Sequence, residues 1–267
     1  MAVTSRETRP QVEPASRFVH EFAVNDADVK ACQQLRYRIF AEEMGAQIDG
    51  GPDKLDVDRF DAHCHHLIVR DTLNGRIIAC TRLLTCEAAA RTGGFYSSGE
   101  FEMDMIAALP DRKVEVGRTC VDAEFRSGAI ISKLWQGLTV FITQHNYRYL
   151  FGCASIGLED GGDQASAILD KIERRYMAPE AIHVTPRRPY PVQRPPAEVA
   201  MRMPPLLKAY VSLGAKACGA PYWDESFNCC DVFMLLDIDE LSPRYARRFM
   251  PSEDAKSNGA RHHSARS

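Results

Sequence analysis

A carboxylate and a guanidinium stand three residues apart in the valine-rich segment 113–122. The segment contains Glu115, Gly117 and Arg118, and the valines around them are typical of a β-strand. Charged groups are rarely buried in a sheet without a partner or a function. A buried carboxylate could accept a proton from a nucleophile, and an arginine could bind an anionic group. We therefore predict that this strand forms the floor of an active site.

Other charged residues stand inside or beside segments that are otherwise apolar. They lie on the first predicted helix, at the end of a Gly- and Asp-rich loop and within an apolar strand. These residues are Arg36, Arg38, Asp58, Asp61 and Arg82. Taken singly, each could be a surface residue or part of a turn. Their joint pattern is what favours a common function.

The elements that must position these residues alternate along the chain. An alternating apolar pattern predicts a strand at residues 18–24, and an Asn-Asp pair then begins a helix that continues to about residue 45. Asn74-Gly75 joins two apolar runs as a β-hairpin. A strand, an apolar helix and a second strand follow over residues 113–156, which implies a parallel crossover. We therefore expect an α/β fold.

The 267 residues suffice for one large core, and their composition, 45% hydrophobic and 26% charged, is that of a globular protein. We expect a single domain at residues 17–250 between flexible tails at residues 1–16 and 251–267. A net charge of −3 gives no reason to expect nucleic acid as a partner. The N-terminus lacks an apolar signal core and no apolar run could span a bilayer, so we expect a cytoplasmic protein.

The nine cysteines show no framework pattern, and in a reducing compartment they are expected to be free thiols. The segment 63–66, His-Cys-His-His, offers potential metal ligands. Alternation along a strand points neighbouring side chains apart, and no second ligand motif appears. No bound metal is therefore expected.

A basic, Pro-rich insertion is predicted at residues 171–203, where six arginines stand against three glutamates. A run of charges is often only a solvated loop. The alternative is a docking surface for an acidic protein or for anionic lipid headgroups.

The ordered motifs resemble two families with one fold. Leu35-Arg36, Phe40, Asp58-x-Phe-Asp61, Arg82 and Glu115-x-x-Arg118 stand in the order found in acyl-homoserine-lactone synthases, which share the GCN5-related N-acetyltransferase fold. The aromatic residue that those synthases carry after the first helix is Ala46 here. The chain is more similar, over residues 18–245, to the L-ornithine Nα-acyltransferases of bacterial ornithine-lipid biosynthesis. The resemblance includes the late run 204–231, which the lactone synthases lack.

The resemblance implies a mixed sheet flanked by helices, with a splayed central strand pair, and an acyl carrier protein as donor. It also implies direct attack of the α-amine of L-ornithine on a thioester, giving a lyso-ornithine lipid. Glu115 would remove the proton from the amine, or would bind the ammonium instead. Backbone N–H groups at the splay would hold the oxyanion.

The remaining charged residues take roles in binding ornithine under this resemblance. Arg82 and Arg118 would bind its carboxylate, with Arg36 bracing the loop. Asp58 and Asp61 would bind its δ-ammonium. The alternative is an ion-pair network that fastens the first helix and the loop to the sheet, and the two roles can coexist.

The turn after the central strand bears on the acyl donor. Ordinary acetyltransferases of this fold cradle the pyrophosphate of coenzyme A in a Gly-rich loop at a helix N-terminus. The corresponding Arg126-Ser127-Gly128 segment has one glycine, which suits the single phosphate of phosphopantetheine on acyl carrier protein. These three residues, with Ser155 on the next strand, are predicted to bind the donor. No tightly bound cofactor is expected.

Two other functions stay open on the sequence. One is the same chemistry on another amine, such as a different amino acid or S-adenosylmethionine. The other is a non-catalytic protein that binds lipid or carrier. The amphiphilic product suggests peripheral contact with the inner face of the cytoplasmic membrane.

Overall fold

The computed structural model of the protein describes residues 16–195, 199 and 201–241. The predicted tails lie outside these residues, apart from Ser16, and so do residues 242–250 of the predicted domain. No helix within the described residues has the length and apolar character needed to cross a membrane.

The described residues form ten strands and six α-helices, and the elements that the hydrophobic pattern predicts occur in the predicted order. The strands are β1 (Phe18–Phe22), β2 (His65–Asp71), β3 (Ile77–Thr85), β4 (Phe101–Glu102), β5 (Lys113–Val121), β6 (Tyr149–Gly157), β7 (Thr185–Pro186), β8 (Lys216–Ala217), β9 (Tyr222–Asp224) and β10 (Cys229–Asp237). The helices are α1 (Asp26–Tyr37), α2 (Cys86–Thr92), α3 (Asp104–Ala107), α4 (Gly128–Gln144), α5 (Asp163–Arg175) and α6 (Pro205–Leu213).

The main sheet runs in the order β1-β2-β3-β5-β6-β10-β8, with β9 paired to β10, and β4 pairs with β7 in a separate small sheet. The β5–β6 pair is parallel, as the helical crossover predicts, and the other pairs are antiparallel. The predicted α/β fold with a mixed sheet is thereby confirmed.

The central strands β5 and β6 pair over only three residues each before the pairing ends at Glu115 and Phe151. Just beyond, Gly152 lies so close to β5 that a Cβ atom there would be 2.2 Å from the carbonyl oxygen of Val116. Only glycine permits this approach, and the strands separate after it. This is the splayed central pair that the resemblance implied.

Apolar side chains cover the two faces of the sheet unequally. The largest core packs one face against α4, α5 and α6, with residues such as Trp135, Ile168 and Tyr210. On the other face, Leu35 of α1 packs with Ile68 and neighbouring residues, while a second cluster gathers around Phe101 and Phe233. Between these two clusters the sheet carries its charged residues.

The predicted basic segment is partly regular, because residues 171–175 complete α5 and β7 lies within it. Arg174 pairs with Asp170, and Arg188 pairs with Glu225. Arg187 lies 3.8 Å from Glu102. Residues 196–198 and 200 are outside the described part of the chain. A docking role for this segment stays a prediction.

Candidate active site

A cavity of about 140 Å³ opens where β5 and β6 separate. It is lined by residues of β3, β5, β6 and β10 and by the turn at residues 96–99. Of the sequence-predicted site residues, four line it, namely Arg82, Glu115, Arg118 and Ser155. The predicted strand therefore does form the floor of a cavity.

Glu115 is 3% exposed and points from β5 toward the turn 96–99. The backbone N–H of Tyr96 donates to Glu115 Oε2 at 2.7 Å, and the N–H of Ser97 donates to Oε1 at 2.8 Å. The Ser97 hydroxyl donates to the same Oε1 at 2.5 Å. Glu115 thus holds this turn in place as well as facing the cavity.

Burial raises the pKa of Glu115, and the hydrogen bonds from Ser97 and Tyr96 oppose that rise. A carboxylate whose proton affinity is increased in this way is a better base than one in water. The structure therefore leaves both predicted roles of Glu115 chemically reasonable, and its role as the base stays a prediction.

Arg36 of α1 is 1% exposed and is enclosed by two aspartates. Its Nε donates to Asp56 Oδ2 at 2.8 Å, and it also donates to the Asp56 carbonyl oxygen. Its Nη1 donates to Asp61 Oδ1 at 2.9 Å, and its Nη2 donates to Asp61 Oδ2 at 2.8 Å. This bidentate arrangement ties the loop before β2 to the first helix, as the bracing role of Arg36 requires.

Arg82 of β3 extends the same network toward the cavity. Its Nη1 lies 2.6 Å from Asp58 Oδ1 and 3.0 Å from Asp61 Oδ1. The neighbouring arginines hold the pKa of Asp61 well below its usual range, although burial alone would raise it. The carboxylates of Asp58 and Asp61 are therefore engaged by arginines, which is the ion-pair arrangement weighed as the alternative to binding an ammonium.

Arg118 completes the network from β5. Its Nε donates to Asp56 Oδ2 at 3.1 Å, and its Nη2 lies 3.7 Å from Asp58 Oδ2. The guanidinium also packs on the rings of Tyr96 and Phe227, 4.9 and 5.2 Å from their centroids. Among the three arginines it has the most exposed side chain, 15%, and it lines the cavity. It is the one best placed to bind an anionic group.

The backbone of Arg118 explains why it shares a cavity with Glu115. Residues three apart in a regular strand point to opposite faces. Arg118 has a φ of 50°, a left-handed conformation rare for residues other than glycine, and the β3–β5 register shifts between Cys80 and Arg82. This bulge turns Arg118 to the face that carries Glu115. Strained conformations of this kind cluster at functional sites.

The structure adds charged residues that sequence reasoning missed. Asp56 pairs with Arg36 and Arg118, and so belongs to the arginine network, the ion pairs of Arg36, Arg82 and Arg118 with Asp56, Asp58 and Asp61. Its position two residues before Asp58 is the feature of the sequence that could have indicated it. Glu100 and Asp231 also line the cavity, 7% and 4% exposed. Asp231 stands in the predicted strand 231–238 beside apolar residues, so its charge could have indicated a site, as the charge of Arg82 did. Glu100 does not stand in a predicted strand or helix.

These two acids are buried beside uncharged hydrogen-bond donors. The Cys153 thiol donates to Glu100 Oε2 at 3.1 Å, and the Ser155 hydroxyl donates to Asp231 Oδ1 at 2.6 Å. Burial, reinforced by the nearby negative charge of Asp231, raises the pKa of Glu100 to about 8. Burial likewise raises the pKa of Asp231 to about 6.

Glu100→Gln is expected to stabilise the protein, and to do so more at pH 8 than at pH 4. The unfolded chain ionises this carboxyl near pH 4.5, whereas the folded protein keeps the proton until about pH 8, so its contribution opposes folding as the pH rises. The gain should be on the order of 1–3 kcal/mol at pH 8 in urea unfolding, and near zero at pH 4. Exposed Glu102→Gln is the control. Equal stability of Glu100→Gln and wild type at pH 8 would contradict the expectation.

The predicted donor residues lie apart from the cavity, except Ser155. Ser127 precedes α4 and Gly128 begins it, so both stand at the helix N-terminus as the fold requires. Arg126 pairs with both carboxylate oxygens of Glu43, with 2.7 Å between Nη2 and Oε2. The role of these residues in binding the donor stays a prediction.

One group among the described residues brings three possible metal ligands together. Ligand atoms of Asp224, Cys229 and Asp231 lie within 4.8 Å of one another at the cavity edge. Oδ1 of Asp224 already accepts from the backbone N–H groups of Ser226 and Phe227. The sequence pattern did not indicate this group.

Comparison with known proteins finds an acetyltransferase domain and similar acyltransferases. Residues 35–136 match the family model for the acetyltransferase (GNAT) domain. The chain is 34% identical over 236 residues to the L-ornithine N(alpha)-acyltransferase of Rhizobium meliloti, covering 82% of this chain and 79% of that one. It is 35% identical over 237 residues to the enzyme of the same name from Brucella abortus, covering 82% and 84%.

Solved structures share the fold at low sequence identity. The CoA-dependent acyl-homoserine lactone synthase BjaI superposes with a TM-score of 0.53 at 17% identity, covering 88% of this chain and 90% of that one. The acyl-homoserine lactone synthase LasI gives 0.51 at 11% identity, covering 84% and 91%. These similarities concern the fold alone.

Proposed function

The chain belongs to the family of L-ornithine Nα-acyltransferases, and on this premise we propose that it moves a (3-hydroxy)acyl chain from acyl carrier protein to the α-amine of L-ornithine. The observation that carries the proposal is the cavity at the β5–β6 splay, where Glu115 and Arg118 face the same space. A carboxylate that could accept a proton and a guanidinium that could bind an anion, both in one cavity, support the acylation of an amino acid.

The reaction is a direct aminolysis of the thioester. The lone pair of the neutral α-amine attacks the carbonyl carbon, so a C–N bond forms and the C–S bond breaks. Glu115 accepts the proton that the amine nitrogen loses, directly or through water, and the departing thiolate takes up a proton to become the free pantetheine thiol. Backbone N–H groups where β5 leaves β6 would stabilise the tetrahedral oxyanion.

The acceptor would bind through its carboxylate at Arg118, with Arg82 beside it. Asp56 and Asp58 hold the Arg118 guanidinium, and stacking on Tyr96 and Phe227 fixes its plane. A guanidinium oriented in this way suits bidentate binding of a carboxylate.

The donor would bind on the side of the α4 N-terminus, where Ser127 is the N-cap residue and Gly128 presents the first N–H group of the helix. The single glycine of this turn suits the one phosphate of the phosphopantetheine that an acyl carrier protein bears. The product carries one acyl chain, which supports a peripheral position at the cytoplasmic face of the membrane.

The test is to incubate the pure protein with 3-hydroxyacyl carrier protein and L-ornithine and to identify the product by mass spectrometry. Parallel reactions with acyl-CoA, with other amino acids and with S-adenosylmethionine examine the donor and the acceptor separately. We expect N-acylornithine from the carrier-bound donor. Absence of product with ornithine, alongside product with another amine, would overturn the assignment of the acceptor.

A further inference from the structure

Two acidic side chains of the cavity, those of Glu100 and Asp231, form no salt bridge in the part of the chain that the structure describes. Each residue is more than nine-tenths buried, and each accepts its hydrogen bonds from neutral groups, chiefly Cys153 and Ser155. No salt bridge within the described residues includes either of them. A buried carboxylate without a cation is unfavourable, so an arriving cation would be bound strongly there.

The pair differs in this respect from the aspartates of the arginine network. Asp58 and Asp61 each lie within 3.0 Å of the Arg82 guanidinium, and Asp61 also binds Arg36. Their charges are already compensated, so a second ammonium gains less by approaching them than by approaching the uncompensated pair.

The cavity consequently has two kinds of polar lining. Arg118 and Arg82 line it with positive charge, and Glu100 and Asp231 line it with carboxyl groups, which Asp224 extends at the edge. Groups facing Glu100 and Asp231 are Tyr96, Arg118, Cys153, Ser155, Asp224 and Cys229. Only Arg118 among these is cationic, and it is itself paired with Asp56.

We propose that Glu100 and Asp231 bind the side-chain ammonium of a diamino acid acceptor and so select it over amino acids with uncharged side chains. The inference rests on the proposed function and names the residues that give it acceptor specificity. It moves the ammonium site from Asp58 and Asp61 to this pair. The acceptor then spans the cavity, its α-carboxylate at Arg118, its α-amine near Glu115 and its far end at the acids.

Because Glu100 and Asp231 are buried, we expect a large preference for a diamino acid over an amino acid with an uncharged side chain. An amino acid with an apolar side chain would leave these buried polar groups without water and without a partner. Sites built to bind a polar group of the substrate discriminate strongly in kcat/KM against analogues that lack that group.

The experiment compares kcat/KM for L-ornithine with kcat/KM for L-2-aminopentanoate, which has the same chain length and lacks the δ-ammonium. We expect the ratio of the two to fall at least tenfold in Asp231→Asn and in Glu100→Gln. Exposed Glu102→Gln, two residues from Glu100 and outside the cavity, should leave the ratio unchanged. Circular dichroism and urea unfolding establish that each variant is folded.

Three outcomes would overturn the inference, and each is distinct from failure of the proposed function. An equal fall for both substrates would make the acids part of the chemistry on the α-amine. An unchanged kcat/KM for each of the two substrates would show that the acids take no part in binding the acceptor. Loss of discrimination on adding a chelator, with a metal found by mass spectrometry, would assign the Asp224, Cys229 and Asp231 group to a metal. Failure of the proposed function would instead appear as wild-type protein that acylates neither substrate.

Discussion

Glu115→Gln is expected to lower kcat for acylation of the amine by about 10²–10⁴-fold, the range usual for removal of a general base. Glutamine preserves the size of the side chain and cannot accept the proton of the amine. The measurement is the steady-state rate of thiol release and of N-acylornithine formation. The matched control is Glu102→Gln, which removes an exposed carboxylate from β4.

The same substitution also touches the turn 96–99, so stability must be measured beside activity. One glutamine oxygen can still accept from Ser97, but its amide group then meets the N–H of Tyr96, and one buried hydrogen bond is lost. We expect a loss of about 1–3 kcal/mol in the free energy of unfolding. A folded Glu115→Gln protein with undiminished kcat would remove Glu115 as the base.

Ser97→Ala separates the two roles of Glu115 without removing its carboxylate. The Ser97 hydroxyl donates to Glu115 Oε1 and opposes the rise in its pKa caused by burial. Without that donor the pKa rises further, and a base must be ionised to act. The acid limb of the kcat/KM profile should therefore move to higher pH if Glu115 is the base, and should stay in place if Glu115 only anchors the turn.

Arg36→Leu is expected to destabilise the fold by about 3–5 kcal/mol, the range for breaking a buried ion pair by removing one partner. The substitution removes hydrogen-bond donors from the buried carbonyl and carboxylate of Asp56. It also removes one of the two arginines that pair with Asp61 and leaves the pair with Arg82. Urea unfolding at pH 7 measures the loss. Arg174→Leu is the control, because its ion pair with Asp170 lies on the surface of α5 and should contribute less than about 1 kcal/mol.

The stability lost in Arg36→Leu is expected to decrease as the pH falls. The pKa of Asp61 is depressed in the folded protein, so its ion pairs stabilise the fold above the ordinary pKa near 3.8 and lose that contribution as the pH falls. The deficit of Arg36→Leu should accordingly shrink between pH 7 and pH 3. A deficit equal to that of Arg174→Leu, or one independent of pH, would show that the network does not hold the loop.

The helices and strands follow from local patterns that can be read in the chain. The Asn25 side chain caps α1 at Asp28, and Gly75 adopts a φ of 73° in the predicted hairpin. The long α4 connects β5 to β6, which pair in parallel, and parallel neighbours need a crossover of this length. Such signals act over a few residues, so sequence carries them directly.

The sequence by itself determined that Arg36, Arg82, Glu115 and Arg118 lie in elements that meet at one sheet. Their residue types, standing where apolar side chains are expected, already required partners. It also carried the family resemblance, which the similarity to L-ornithine Nα-acyltransferases confirms.

Only the tertiary structure decided which charges face each other. The left-handed backbone at Arg118 and the register shift beside Arg82 are cross-strand effects, and they reverse the side that simple alternation predicts. Glu100 and Asp231 come from distant parts of the chain and are brought to one cavity by the pairing of β6 with β10 and by the turn that Glu115 holds. Burial, which raises their pKa values, exists only once those contacts form, and no local pattern records it.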